Sequence, residues 1–260
     1  MGLAIARGLL RAQDPPAVVA VERDAARREV LRDVAGLTVT DVLAPTADDF
    51  VVVAVPPQDF DQLAAEHASS FDPAQPTMSV MAGITAAQVS QALGTVEVVR
   101  VIPNTPSEVF GGMSVYYTLP SASAVVAPAE ALLLTIGKSL RVHREEQVDD
   151  ATAICGGGPA FVSYVADAFC RFGEARGFSA FESRLMAAQV LSGSAALIAG
   201  SAKPPMQLCR EVMTAGGTTE RGIAVFEGAE LSTTVSRALE ASAARSRELA
   251  GALVGAPASD

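Results

Sequence analysis

The first half of the chain alternates short, nearly continuous apolar runs with stretches of mixed charge. Ala17 to Val21, Val51 to Val55, Thr77 to Met81 and Glu97 to Ile102 are rich in β-branched residues and read as strands. Between them, Asp24 to Val34 and Gln58 to Ser69 read as surface helices that follow short turns. Strand and helix in alternation predict parallel βαβ units. Strands that stay apolar at successive positions predict burial on both faces of the sheet. After about Glu146 the pattern changes to long Ala-rich helical stretches, Pro159 to Gly173, Glu182 to Ile198 and Leu231 to Leu253, with breaks at Pro204-Pro205 and Gly216-Gly217. The expected architecture is a doubly wound nucleotide-binding domain over residues 1–146 and an all-α domain over 147–260. The second-half helices are apolar enough that some faces are expected to bury against a second subunit.

Composition narrows the partners. Half of the residues are apolar and 18% are charged, with a formal net charge of -10, so the expectation is a globular chain rather than a disordered one. Like charges repel nucleic acid and anionic lipid, and there is no Lys/Arg run. Small molecules and a second copy of the chain are the expected partners. Cys155, Cys170 and Cys209 have neither disulfide-framework nor zinc-site spacing, which points to a reducing cytoplasm. Apolar runs such as Val51 to Val55 and Ala131 to Ile136 fall short of the roughly 20 residues of a membrane span. No signal-peptide pattern opens the sequence.

Three loops put Gly, Pro and small hydroxyl residues where a core has no use for them. In Arg100 to Pro106, two prolines flank Asn104 and Thr105 just after a strand, at the edge where ligands bind in open α/β sheets; an ordinary rigid connection is the alternative. Cys155-Gly-Gly-Gly-Pro159-Ala160 ends where a long helix begins, with Pro suited to the first turn, although glycine there also permits tight helix packing. Thr214-Ala-Gly-Gly-Thr-Thr219 precedes an apolar helix whose free amides and positive dipole end suit a carboxylate or phosphate. Plain capping by Thr competes with that reading. His67 and His143 read as surface residues, and Glu145, Glu146, Asp149 and Asp150 as a solvated helix start.

Together these segments resemble the Δ1-pyrroline-5-carboxylate reductase family. The turn after the strand resembles the family's PNTP, the Gly-Pro helix start its SGSGPA, and the third loop its PGGTT. Val52-Val-Ala-Val55-Pro56-Pro57-Gln58 is similar to its strand ending in KPQ, and Met81-Ala82-Gly83-Ile84 to its AGI turn. The resemblance runs in order along almost the whole chain. It implies a Rossmann-type domain joined to a helical dimerisation domain, with intertwined subunits and active sites partly lined by a neighbour. It also implies hydride transfer from NADP, with NAD as the other possibility, to a cyclic imine bearing a carboxylate. Thr214, Gly216, Gly217 and Thr218, with Gly158 and Pro159, would hold the substrate, and the Thr219 hydroxyl would lie near the imine nitrogen as the catalytic group. Glu22, Arg23, Ala54, Val55, Pro56, Ala82, Gly83, Pro103 and Asn104 would bind the dinucleotide. Glu22 suits the ribose hydroxyls of NAD, whereas Arg23 and Arg27 suit a 2′-phosphate. A protonated imine accepts hydride readily, so the protein mainly orients two reactants, an effect of roughly 7 to 11 kcal/mol.

The chain departs from the family pattern at several points. Met1 to Ile5 resembles the interior of the family's first motif, without its first strand and most of its Gly-rich turn. A misassigned start or shortened chain is the expectation, and impaired cofactor binding the alternative. Cys155 and Gly157 replace serines, Ala215 a proline and Pro56 a lysine, each lost hydrogen bond being worth on the order of 1 kcal/mol. Two other functions therefore stand beside proline synthesis: a related imine or keto-acid reductase, and a non-catalytic dimeric paralogue that has lost its nucleotide.

Overall fold

Residues 1–254 are described by the computed structural model. The described residues form two units, one comprising Met1–Gly157 with the described stretch from Ser242 onward, the other Gly158–Ala241. In the first unit β1 (Val18–Val21) and β2 (Leu37–Thr40) form a two-stranded parallel sheet. A separate five-stranded sheet runs in the order β3 (Val51–Val53), β4 (Thr77–Ser79), β5 (Val98–Ile102), β6 (Gly112–Thr118), β7 (Gly137–Arg141). β3, β4 and β5 are mutually parallel; β6 is antiparallel to β5 and parallel to β7.

Burial on both faces holds for the centre of the large sheet, where every residue of β4 and β5 is buried. Neighbouring β5 positions feed opposite cores, since Val99 and Val101 pack with Ile5, Leu133 and Ile136, whereas Val98 packs with Phe60, Val89 and Leu93. Helices α1 (Gly2–Leu10) and α5 (Val126–Leu134) thus cover one face, and α3 (Phe60–His67) and α4 (Ala86–Leu93) the other. β1 departs from the expectation, with Val19 56% and Val21 44% exposed. It has a single strand neighbour, and the adjoining helix α2 (Ala25–Arg32) buries no residue.

Several elements were not foreseen from the pattern. β2, Leu-Thr-Val-Thr, carries too little apolar weight to stand out, and the apolar run Ala131 to Ile136 is mostly the end of α5. His143 lies just after β7, which pairs in parallel with β6. α6 (Glu146–Ala151) continues through a π turn (Thr152–Gly156) into α7 (Gly158–Glu174). That unbroken stretch, Glu146–Glu174, is by length and composition long and apolar enough to cross a membrane, unlike the short runs considered from sequence. The wider turn lets a glycine-rich joint carry the helix on: the amide of Gly157 donates to the Thr152 carbonyl at 3.0 Å.

The second unit is helical. α7 and α8 (Ala180–Gly200) form an αα-hairpin, tightened where a side chain at Gly173 would meet Ser183 Oγ at 2.5 Å. Ser179 caps α8 through a reciprocal bond with Glu182. α9 (Pro205–Val212), α10 (Thr218–Gly228) and α11 (Leu231–Val254) follow, α11 running past the boundary of this unit. Apolar side chains remain outside along one stripe of α7, with Val162 53%, Val165 46%, Phe169 43% and Phe172 65% exposed.

Candidate active site

In the first unit, three parallel strands deliver three loops to one sheet edge. Ala54, Val55 and Pro56 follow β3, Ala82 and Gly83 follow β4, and Pro103 and Asn104 follow β5. Ala54, Pro56 and Ala82 are exposed there, whereas Pro103 and Asn104 are buried. The Asn104 side chain is spent on the scaffold, since its Oδ1 accepts from the Met113 amide at 3.0 Å.

The first turn of α1 stands against the end of β3, for a Cβ placed on Gly2 would lie 3.2 Å from the Ala54 Cβ. No acidic residue occupies that first turn. Its open amides suit a phosphate. Glu22 and Arg23 follow β1, and Arg23 donates to Asp59 Oδ2 at 3.1 Å and Gln62 Oε1 at 3.0 Å, so the end of β1 lies within reach of the residues after β3. Glu22 accepts from the Asp24 amide and pairs with Arg27 at 3.8 Å. Arg23 and Arg27, with side chains 66% and 72% exposed, are each paired with a carboxylate, Asp59 and Glu22. Small side chains at the edge, open amides at α1 and cations after β1 together fit a dinucleotide phosphate.

The Gly-rich joint lies at the limit of this unit. Burial pushes the Cys155 thiol above its ordinary value, so it is a neutral weak donor rather than a thiolate nucleophile. Glu145 and Asp149, expected in a solvated cluster, instead pair with the buried Arg100 at 3.3 and 2.5 Å. A cation inside the sheet draws both carboxylates inward. The signal was present in the sequence as an Arg within an otherwise apolar strand.

In the second unit, Thr214, Gly216, Gly217, Thr218 and Thr219 are brought together in one turn and the start of α10. Gly216 has φ +70°, a backbone that L side chains rarely adopt. The Gly217 amide donates to the Thr214 carbonyl at 2.8 Å. Gly217 is the N-cap and offers no side-chain acceptor, so capping by Thr, the competing reading of this loop, is not what is found. No side chain caps the amides opening α10. A carboxylate already sits on this loop: Glu220 Oε2 accepts from the Gly216 amide at 2.7 Å. Thr218 is exposed and Thr219 half-buried. Gly158 and Pro159 open α7, as expected for Pro in a first turn.

Comparison with known proteins adds independent observations. The family described as pyrroline-5-carboxylate reductase dimerisation matches residues 145–249, and the one described as NADP oxidoreductase coenzyme F420-dependent matches residues 1–83. The pyrroline-5-carboxylate reductase of Pseudomonas aeruginosa is 33% identical over 94% of this chain and 91% of its own length. Among solved structures, a pyrroline-5-carboxylate reductase from Coxiella burnetii is similar with TM-score 0.86 and 25% identity, over 95% of this chain and 94% of that one. The Plasmodium falciparum pyrroline carboxylate reductase, solved with NADP bound, shares the fold at TM-score 0.81 and 23% identity, over 96% of each chain.

Proposed function

Because the chain belongs to the pyrroline-5-carboxylate reductase family, we propose that it reduces 1-pyrroline-5-carboxylate to proline with NADPH, using residues 1–146 for the dinucleotide and 147–260 for dimerisation and substrate. The observation that most directly supports this reading is the uncapped start of α10, where backbone donors can take a small carboxylate without a basic side chain. Thr214, Gly216, Gly217 and Thr218 shape that loop, and Gly158 and Pro159 contribute the start of α7. The Thr219 hydroxyl oxygen accepts from the iminium N–H and so orients the C=N bond. Ala54, Val55, Pro56, Ala82, Gly83, Pro103 and Asn104 line the dinucleotide edge, while Glu22 and Arg23 meet its ribose end. When bound, NADPH supplies the hydride. Everything else asked of the chain is orientation and the exclusion of water around a substrate that is already electrophilic.

The test is oxidation of NADPH by the purified chain on addition of the imine. Thr219→Ala is expected to lower kcat roughly tenfold to a hundredfold, the range for losing one hydrogen bond to a charged group. An unchanged kcat would take Thr219 out of the reaction, and no imine-dependent oxidation by the wild type would end the proposal. Cys155 favours a second reading, because a neutral thiol stands where the family pattern has a hydroxyl. A related carboxylated imine or keto acid as preferred substrate in a panel would establish it.

The same proposal makes the protein a cytoplasmic homodimer. It is supported by the match to a dimerisation family over residues 145–249 and by the exposed apolar stripe of α7. The free thiols of Cys155, Cys170 and Cys209 agree with a reducing compartment. Replacing both Val165 and Phe169 with Glu is expected to convert dimer to monomer in analytical ultracentrifugation, since buried unpaired charge is strongly unfavourable. A double variant that sediments as a dimer would place the interface elsewhere.

A further inference from the structure

The one fully buried cation in the large sheet ties together segments that are distant in sequence. Arg100, at the middle of β5, is 2% exposed. Its Nη1 donates to Glu145 Oε1 and to Asp149 Oδ2, both at 3.3 Å, and its Nη2 donates to Asp149 Oδ1 at 2.5 Å. Glu145 Oε1 also accepts from the Ala86 amide at 2.7 Å. Ala86 opens α4, three positions after Gly83 in the turn that follows β4. One carboxylate therefore holds the start of α4, the centre of β5 and the start of α6 at fixed separations.

Such an arrangement is a poor way to add stability alone. Two partly buried carboxylates on one guanidinium leave a net negative charge, and Arg100 Nε is buried without a partner. The positive end of the α4 dipole offsets part of that charge. What the arrangement does supply is geometry. β5 leads directly into Pro103 and Asn104, the turn before α4 contains Ala82 and Gly83, and α6 leads into the π turn and Cys155. We propose that Arg100, Glu145 and Asp149 are positioning residues for cofactor binding, a clamp that sets the spacing of the loops after β4 and β5 on which the dinucleotide rests. The clamp rests on the reading of that edge as the NADPH site, and its members act through the loops they hold.

The deciding experiment uses the full chain, with Glu145→Gln and Asp149→Asn, each keeping side-chain shape while withdrawing one charge. The Kd for NADPH is read from nicotinamide fluorescence, the KM for the imine from turnover, and the unfolding midpoint from circular dichroism. Glu145→Gln, which weakens the contact to Ala86, is expected to raise the NADPH Kd about tenfold, the scale of one charge-assisted hydrogen bond, and to leave the imine KM unchanged. Asp149→Asn leaves both Glu145 contacts in place and is expected to fall between Glu145→Gln and wild type, which keeps the proposal testable should Glu145→Gln fail to fold. An NADPH Kd unchanged in the folded variants, whatever the shift in midpoint, overturns the clamp as a positioning device. Equal rises in both constants also overturn it, since that would be general loosening. A wild type that binds NADPH yet does not reduce the imine defeats the proposed function instead, and the Kd series still decides the clamp.

Discussion

Gly217→Ala is expected to abolish most imine reduction while leaving the chain folded. The backbone at Gly217, φ -78° and ψ 170°, is open to any residue, so the substitution brings no conformational penalty of its own. The obstacle is space. An added Cβ would meet Thr214 Oγ1 at 2.3 Å and the Thr214 carbonyl oxygen at 2.9 Å. The hydroxyl can rotate away, but the carbonyl is backbone and accepts the Gly217 amide, so the turn itself has to open. A displacement of about 1 Å in a positioning group can cost on the order of a hundredfold in rate. The expected result is a fall of that size in kcat/KM for the imine, with an unchanged circular dichroism spectrum and an unchanged Kd for NADPH. Near-normal kcat/KM would mean that the carboxylate is held elsewhere.

Gly137→Ala, by contrast, is expected to prevent folding. Gly137 opens β7 at φ +150° beside Gly112, the first residue of β6. A Cβ there would lie 2.0 Å from the Gly112 carbonyl oxygen and 2.5 Å from its nitrogen. Neither atom can move without unpicking the β6–β7 ladder, and β6 holds the buried Tyr116, whose hydroxyl donates to Glu130. The loss should approach the whole stability of a domain, about 5–15 kcal/mol. Gly193→Ala in α8, with nothing within 4 Å of the added atom, is the control and should be neutral or stabilising. A urea midpoint for Gly137→Ala close to that of the control would show that the strand start can widen.

The sequence made the central strands legible because nothing competes with burial at Val98 to Ile102. It did the same for the long helices, whose Ala-rich composition and Gly or Pro breaks leave few alternatives. β6 and β7 were missed: Gly112 and Gly137 signal close approach only once the two strands are known to be neighbours. The candidate loops were legible as motifs, since Gly and Pro mark backbone that a core does not require. Glu145 and Asp149 were misread because an acidic cluster is normally solvated; Arg100 in an apolar strand signalled a buried cation, but only the fold shows which carboxylates meet it. Local pattern reports a residue's preference, whereas long-range partners decide whether that preference is overruled.

The small β1–β2 sheet has an energetic consequence for ligand binding. With α2 burying nothing and β1 half open to water, this hairpin-sized region has little packing to lose, so its amides should exchange with solvent through local opening rather than through global unfolding. Glu22 and Arg23 stand at its tip. A dinucleotide whose ribose docks there must hold the region shut, and part of its intrinsic affinity is then consumed in ordering the protein, as in any coupled folding and binding event.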